Sequence, residues 1–268
     1  MLECLVDGEI ASQVSAGDRG LQFGDGLVET IAMAAGRPRF WQGHIDRLRV
    51  GCERLGLAPV PQAVLLREVQ TVSAGQGDCL VRIVLTRRTS DPWLEIGSHD
   101  SDTRRVVCAV PRPPRPDGLA TRGLRARICD LRLAVQPAFA GISALNRLEQ
   151  VLARAEWSDE SIGEGILLDR DDFVVTGISA NLFLVFGNRI LTPRLDRCGV
   201  RGVLRAALIG AFRDRCEQRR IGLDMLPEAD EVFLAGVTDG IVPVNRIDHW
   251  EYAVGPVTRE VQAWLDRA

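Results

Sequence analysis

A proline-rich segment near the middle of the chain constrains the fold more than any other stretch. Four prolines fall within six residues of Pro111-Arg112-Pro113-Pro114-Arg115-Pro116-Asp117-Gly118. Proline has no backbone N–H and a fixed φ, so neither a helix interior nor a central strand can run through this segment. We therefore predict an N-terminal domain over residues 1–112, a linker over 113–118 and a C-terminal domain over 119–268.

Helix-like and strand-like stretches alternate on both sides of this linker. Ile45, Leu48, Cys52 and Leu55 recur at helical spacing, which predicts a helix over 42–55. The same reasoning predicts further helices over 62–74, 145–157, 202–217 and 256–266, and strands over 79–85, 106–110, 164–168 and 182–185. The pattern indicates an α+β fold in two halves of similar size, each with a mixed sheet.

The bulk composition excludes several classes of partner. The net charge of −3 leaves no basic excess for binding nucleic acid or an acidic membrane surface. No apolar run reaches the roughly 18–20 residues that a membrane-spanning helix needs. The first residues, Met1-Leu2-Glu3-Cys4-Leu5, carry an acid where a signal peptide carries basic residues. We therefore expect a cytoplasmic protein with no nucleic-acid and no membrane partner.

The cysteines and histidines show neither a disulfide pattern nor a metal-binding pattern in the sequence. The seven cysteines are odd in number, scattered, and form no C-x-x-C pair, which predicts reduced, mostly buried thiols. The three histidines are far apart in sequence, and none has a second histidine at metal-ligand spacing. We expect no metal site.

Five short motifs follow one another along most of the chain. They are Asp18-Arg19-Gly20 with Phe23-Gly24-Asp25-Gly26; His44-Ile45-Asp46-Arg47-Leu48; Leu145-Asn146-Arg147-Leu148-Glu149-Gln150; Ala180-Asn181-Leu182-Phe183; and Thr192-Pro193-Arg194-Leu195-Asp196 with Gly199-Val200-Arg201-Gly202. In this order and spacing they resemble the fold type IV enzymes that depend on pyridoxal phosphate (PLP), the group of branched-chain and D-amino-acid aminotransferases and aminodeoxychorismate lyase. The third and fifth motifs look most like the lyase.

The resemblance implies a two-domain, D-amino-acid aminotransferase-like architecture and a homodimer. It also implies an active site at the cleft between the domains. The lyase of this family converts aminodeoxychorismate to p-aminobenzoate and pyruvate, so the resemblance further implies a small anionic substrate.

Two residues that the family's chemistry requires are absent. The chain contains no lysine, and Ser143 stands at the place of the family's PLP-binding lysine. A hydroxyl forms no imine and is too weak a base near neutrality to move the substrate proton. Thr176 stands where the family has a glutamate that keeps the pyridine nitrogen protonated. We expect no covalent cofactor, so that PLP would bind only non-covalently. Both hydroxyls are candidates for contacts to a substrate, or simply fill the space left by larger side chains.

The place of the cofactor phosphate is only partly kept. Arg47 matches the family's phosphate-binding arginine, and its other interpretation is a helix-face ion pair with Asp46 or Glu53. The turn at Val200-Arg201-Gly202 opens a predicted helix and is a candidate anion cradle. Of the hydroxyl pair that the family has near Gly236-Val237-Thr238, only Thr238 remains.

Two further charged residues complete the predicted site. Glu29 follows the Gly-Asp-Gly turn, where an apolar pocket would raise its carboxyl pKa and suit it to proton transfer. Arg147 comes four residues after Ser143, and the two would share a face if a helix began there. It would then clamp a carboxylate, as Arg47 or Arg201 would. The alternatives are a surface carboxylate at Glu29 and a structural ion pair at Arg147.

Together these changes favour a cofactor-independent, pyruvate-releasing lyase. Chorismate carries a hydroxyl where aminodeoxychorismate carries its amine, so it needs no imine, and aromatisation drives its conversion to 4-hydroxybenzoate and pyruvate. One alternative is an aminodeoxychorismate lyase that holds PLP non-covalently. Another is a non-catalytic protein that binds a small acid or pairs with an active subunit.

Overall fold

The computed structural model describes residues 4–88 and 102–268, which form two compact units. Unit 1 comprises Met1–Pro113 together with the short segment Ile142–Asn146, and unit 2 comprises Pro114–Gly141 and Arg147–Ala268. The chain thus leaves unit 1 inside the proline-rich segment and returns to it once. Nothing in the sequence pattern indicates this return.

Unit 1 is built on one sheet with two long helices. Its elements are β1 (Cys4–Val6), β2 (Glu9–Ile10), α1 (Arg19–Phe23), β3 (Gly26–Ala34), β4 (Arg37–Pro38), α2 (Trp41–Leu55), α3 (Gln62–Ser73), β5 (Cys79–Arg87) and β6 (Thr103–Pro111). The strand order is β2-β1-β6-β5-β3-β4, and every neighbouring pair is antiparallel. Apolar residues of β3, β5 and β6 pack against α2 and α3 in one core, as the helical spacing over 42–55 and 62–74 predicts.

Unit 2 is built on a larger, mixed sheet. Its elements are α4 (Leu119–Arg122), β7 (Leu124–Leu133), α5 (Leu148–Arg154), β8 (Ile162–Asp169), β9 (Phe173–Gly177), β10 (Asn181–Phe186), β11 (Arg189–Pro193), α6 (Val203–Ala211), β12 (Cys216–Arg219), β13 (Ile221–Gly222), a 3₁₀ turn (Leu223–Met225), β14 (Glu231–Gly236), β15 (Gly240–Ile247), β16 (Trp250–Glu251) and α7 (Pro256–Arg267). The strand order is β12-β11-β10-β14-β15-β7-β8-β9-β13, with β16 paired to β15. The pairs of β7 with β8 and β15, and of β11 with β12, are parallel.

Two helices are shorter than the sequence pattern predicts. The helix predicted over 145–157 spans only Leu148–Arg154, because the backbone N–H of Leu145 donates to the carbonyl of Gly26 in β3 instead of entering a helix. The helix predicted over 202–217 ends at Ala211, and Cys216–Arg219 form a strand that pairs with β11. In both places a partner distant in sequence overrides local helical spacing.

The prediction that the cysteines are reduced is wrong for one pair. Cys4 and Cys108 lie opposite each other on the antiparallel strands β1 and β6, with 4.2 Å between their Cα atoms, and form a disulfide. Strand pairing brings them together across a sequence separation of 104 residues, so their spacing along the chain gives no sign of it. The other five cysteines are free thiols.

No helix within residues 4–88 and 102–268 combines the length and the apolar character that crossing a bilayer requires. Over the same residues, histidine, cysteine and acidic side chains form no cluster of three or more that would hold a metal ion.

Candidate functional site

The predicted acid–base residue, Glu29, lies in a buried ion cluster in the core of unit 1. Its side chain, on β3, is only 1% exposed. Nδ1 of His44 donates to Oε2 of Glu29 at 2.6 Å. Arg47 donates from Nε to Oε1 at 2.8 Å and from Nη2 to Oε2 at 2.5 Å. Both carboxylate oxygens are therefore held by α2, which carries His44 and Arg47 one turn apart.

This cluster reverses the pKa shift predicted for Glu29. Burial alone would raise the pKa of the carboxyl group, but the charge of Arg47 and the hydrogen bonds from His44 and Arg47 outweigh burial and lower it. The prediction of a raised pKa is wrong. An ionised carboxylate enclosed by two donors is a structural anchor between β3 and α2 and a poor proton carrier.

Arg47 is correspondingly occupied. Its guanidinium grips Glu29 with two nitrogens, which is the fork geometry that arginine uses for carboxylates. The sequence suggested Asp46 or Glu53 as its partner instead. In the structure Glu53 pairs with Arg49, and Asp46 accepts from Gln42.

Ser143 lies on the same sheet as Glu29 but faces the other way. The segment 142–146 runs antiparallel to β3, with Leu27 opposite Ala144 and a hydrogen bond from the N–H of Val28 to the carbonyl of Ser143 at 2.9 Å. Residues directly opposite share a face, and successive residues alternate faces. Glu29 therefore projects with Leu27 toward α2, whereas Ser143 projects with Val28 from the opposite face. The two predicted catalytic residues do not converge.

Ser143 is nevertheless well enclosed. Its side chain is 7% exposed, so a ligand that reaches it must displace or rearrange protein or water around it. The expected helical relation between Ser143 and Arg147 fails, since Ser143 belongs to the extended segment and α5 begins only at Leu148. Arg147 is the half-buried residue that directly precedes α5.

In unit 2, the hydroxyl of Thr176 is already committed. It donates to the carbonyl of Ala180 at 2.9 Å and accepts from Nδ2 of Asn181 at 3.4 Å. Thr176 is 7% exposed and stands at the end of β9, just before the turn that leads to Asn181. Its hydroxyl stabilises this turn, and it carries no charge with which to hold a protonated ring nitrogen.

Asn181 also closes the turn that the sequence predicted as an anion cradle. Its Nδ2 donates to the carbonyl of Val200 at 2.9 Å, and its Oδ1 accepts from the N–H of Gly202 at 2.9 Å. The N–H of Arg201 donates to the carbonyl of Gly141 at 3.1 Å. Two of the three amides of this turn are therefore spent within the protein. A side chain at position 202 would meet Oδ1 of Asn181 at 2.2 Å, so the approach requires glycine.

The two remaining predicted residues, Thr238 and Arg201, also belong to unit 2. Thr238 lies in the tight turn between β14 and β15, where its carbonyl accepts from Nη2 of Arg115 at 2.8 Å. The side chain of Arg201 is exposed and donates from Nε to the carbonyl of Leu195 at 3.2 Å. It lines a surface cavity together with Arg205.

Sequence reasoning missed three organising residues: His44, Asn181 and Arg205. His44 and Asn181 each stand inside a motif, and that placement was the only available signal. Arg205 is 2% exposed and donates to Thr192, Pro193 and Gln218. From the sequence, an arginine at the third position of a helix is expected on the surface. Its burial is evident only in the folded structure.

Comparison with known proteins places this geometry among relatives. Residues 26–247 match the family model described as amino-transferase class IV. The chain is 27% identical to the aminodeoxychorismate lyase of Vibrio harveyi over 271 residues, which cover 97% of this chain and 98% of the relative.

Comparison with solved structures gives the same family. The crystal structure of 4-amino-4-deoxychorismate lyase from Pseudomonas aeruginosa is 41% identical, with a TM-score of 0.89 and 98% of each chain covered. A hypothetical aminotransferase from Mycobacterium tuberculosis, solved in a PLP-bound form, has a TM-score of 0.83 at 19% identity, again with 98% of each chain covered. The second likeness shows the fold alone. The predicted α+β, aminotransferase-like fold is confirmed.

The side chains of this chain do not fit a lysine-bound PLP. No lysine occurs anywhere in the sequence. The hydroxyl at position 176 is donated to a backbone carbonyl, Arg47 is held by Glu29, and the amide of Gly202 is held by Asn181. Position 143 thus offers no amine for the aldehyde, position 176 offers no charge for the ring nitrogen, and Arg47 and the amide of Gly202 are already engaged within the protein.

Proposed function

Because the chain belongs to the amino-transferase class IV family, we propose that it is an aminodeoxychorismate-lyase-like enzyme that releases pyruvate from chorismate without a lysine-bound cofactor. One observation carries the proposal: hydroxyls stand at both positions where the family has its lysine and its ring-nitrogen glutamate. Ser143 is enclosed, and Thr176 is spent on Ala180. A pocket altered in this way suits a substrate that needs no imine.

The chemistry balances without an external reactant. In chorismate, the ether bond between the ring and the enolpyruvyl oxygen breaks, and the hydrogen on the neighbouring hydroxyl-bearing ring carbon is lost as the ring becomes aromatic. That hydrogen can pass to the methylene carbon of the departing group through a six-membered arrangement, which gives pyruvate and 4-hydroxybenzoate directly. No protein base is then required, which agrees with the engaged, ionised state of Glu29. The task left to the protein is to hold the substrate in the reactive conformation.

One residue of unit 2, Arg147, is assigned to that task as the group that holds a carboxylate of the substrate. Arg147 is only half-buried and directly precedes α5. Arg47 is left out of this role because Glu29 already occupies its fork.

The test is a side-by-side assay of chorismate and aminodeoxychorismate, with pyruvate followed through lactate dehydrogenase, with and without added PLP. We expect pyruvate from chorismate and no dependence on PLP. Arg147→Gln should raise KM for chorismate about tenfold or more, as expected for the loss of a charge-assisted contact. Arg154→Gln, on α5, is the matched control and should leave KM unchanged. Absence of pyruvate from chorismate sinks the proposal.

The likeness to the Pseudomonas aeruginosa lyase favours one second candidate, an aminodeoxychorismate lyase with non-covalently held PLP. It requires turnover of aminodeoxychorismate only when PLP is present, and a visible pyridoxal absorbance that dialysis removes. The double variant Ser143→Lys with Thr176→Glu separates the two ideas. If the protein lacks only the lysine and the glutamate that bind PLP, the double variant should show the absorbance of a lysine imine. If the rest of the pocket has also changed, it should not.

A homodimer is part of the proposal. The outer face of α5 exposes three large apolar residues, Leu148, Val151 and Leu152, at 68%, 61% and 52%. Apolar side chains at this spacing form one stripe, and a contiguous exposed stripe is typical of a surface that a partner covers. Sedimentation of the protein should therefore report twice the chain mass, and Val151→Asp should shift it toward the monomer.

A further inference from the structure

Unit 2 carries a surface cavity with an excess of positive charge. The cavity has a volume of about 500 Å³ and is lined by Arg194, Leu195, Asp196, Arg201, Arg205, Ala206, Ile209 and Gln218. Three of these side chains are arginines, and Asp196 is the single acid among them. Asp196 is already paired, since its Oδ2 lies 2.6 Å from Nη2 of Arg194. The lining therefore carries more guanidinium charge than its own carboxylate neutralises.

Arg205 is the unusual member of the set. Its side chain is 2% exposed, yet its hydrogen bonds go to neutral acceptors. Nε donates to the hydroxyl of Thr192 at 3.3 Å, and Nη2 donates to the carbonyl of Pro193 and to Oε1 of Gln218, both at 2.9 Å. Within the described part of the chain, Arg205 forms no ion pair with an acid. A buried charge without a counter-charge is costly, so a fold that retains one gains by binding an anion beside it.

The neighbouring charge strengthens this argument. Burial, and then the positive charge of Arg201, lower the pKa of Arg205 to about 10. With a pKa of about 10, Arg205 stays protonated near neutrality, and the positive charge of Arg201 repels it. Gln218 uses its carbonyl oxygen on Arg205, and its amide nitrogen is a neutral donor. Like charges held together with an amide donor in a concave surface are the arrangement with which proteins bind oxyanions.

We propose that this cavity is a binding site for a small, doubly charged oxyanion, with Arg201 and Arg194 as its outer clamps and Arg205 as its buried counter-charge. The proposal rests on the residues of this cavity and not on the proposed pyruvate-releasing reaction. The shared chemistry is a group with two or more anionic oxygens, which a phosphate monoester or a dicarboxylate supplies.

Isothermal titration of the whole protein with inorganic phosphate and with malonate, at low ionic strength, tests the proposal. We expect saturable binding at one site per chain for at least one of the two anions. Titration with sodium chloride should show no saturable binding, because chloride has a single charge and cannot contact both clamp arginines. The relative affinity of phosphate and malonate then identifies which source of the oxyanion the site prefers.

Variants locate the site. Arg201→Gln should weaken binding about tenfold or more, because it removes one charge-assisted contact. Arg213→Gln is the matched control: it makes the same charge change at a side chain that is 82% exposed and outside the cavity, and should leave affinity unchanged. Circular dichroism of Arg201→Gln guards against unfolding, and its exposed position predicts a native spectrum.

Three results would overturn the proposal. They are absence of saturable binding by both anions, equal affinity in Arg201→Gln and Arg213→Gln, and loss of pyruvate release in Arg201→Gln with anion binding intact. The last result would make Arg201 the substrate arginine. Failure of pyruvate release from chorismate in the native protein leaves the anion titration unaffected, so the two proposals fail independently.

Discussion

Replacing Glu29 by alanine should destabilise unit 1 strongly. The carboxylate is 1% exposed and neutralises Arg47, which is 14% exposed, while it also accepts from the buried ring of His44. Removing one partner of a buried pair leaves the other charge without compensation and typically costs about 3–5 kcal/mol. Whole domains are stable by only about 5–15 kcal/mol, so Glu29→Ala should leave unit 1 close to its unfolding threshold.

Urea unfolding measures how much free energy of unfolding Glu29→Ala loses in total. Hydrogen exchange with mass spectrometry then shows whether that loss lies in peptides of β3 and α2. Because a chain of two units need not unfold in one step, the exchange data carry the assignment. Glu53→Ala is the control, since Glu53 and its partner Arg49 are both exposed and such a pair contributes at most about 0.5 kcal/mol. Faster exchange should be confined to unit 1 in Glu29→Ala and absent in Glu53→Ala.

The pH dependence of stability is a second test of the cluster formed by Glu29, His44 and Arg47. The folded-state pKa of Glu29 lies below its ordinary value of 4.5. Its stabilisation is therefore present above about pH 4.5 and is lost as the pH falls through the lower, folded-state value. Glu29→Gln should flatten this acid limb of the stability curve. If Glu29→Gln instead keeps native stability at pH 7 and abolishes pyruvate release, Glu29 is a catalytic group and our reasoning is refuted.

Three further outcomes follow from the structure. Asn181→Ala removes the amide that joins Val200 and Gly202, and should cost about 1–3 kcal/mol in urea unfolding; the exposed Asn188→Ala should cost less than about 0.5 kcal/mol, and similar losses would contradict the assignment. Gly202→Ala brings a methyl group to 2.2 Å from Oδ1 of Asn181 and should cost about 1–3 kcal/mol; the loss should shrink when Asn181→Ala is combined with it, so strict additivity would argue against a clash. The variant Cys4→Ser with Cys108→Ser should lose about 2–4 kcal/mol without reductant and match the native protein with reductant; equal stability without reductant would show that the disulfide does not contribute.

The sequence predicted the elements whose signals are local. Helix α2 starts one residue before the predicted range and ends with it, because Leu48 and Cys52 mark its buried side at helical spacing. The helices that were predicted too long, over 145–157 and 202–217, fail where Leu145 and Cys216 find strand partners far away in the chain. The spacing of apolar residues indicates which side of a segment is buried. It does not indicate whether a strand elsewhere in the chain will pair with that segment and prevent a helix.

For the candidate site, the motifs named the residues but not what they do. Glu29, Arg47 and His44 were all visible in or beside two motifs, yet their mutual contacts join positions that are 15 and 18 residues apart. The opposite orientations of Glu29 and Ser143 depend on the register between β3 and the segment 142–146, and a shift of one residue would reverse them.

The sequence by itself determined the family, the α+β class, the absence of lysine and the hydroxyls at positions 143 and 176, because motif order and residue identity are properties of the chain alone. Only the tertiary structure decided that the carboxyl pKa of Glu29 is lowered, that Arg205 is a buried cation among neutral partners, and that Cys4 meets Cys108. Charge, burial and bonding are set by neighbours in space, and those neighbours are fixed only when the sheets assemble.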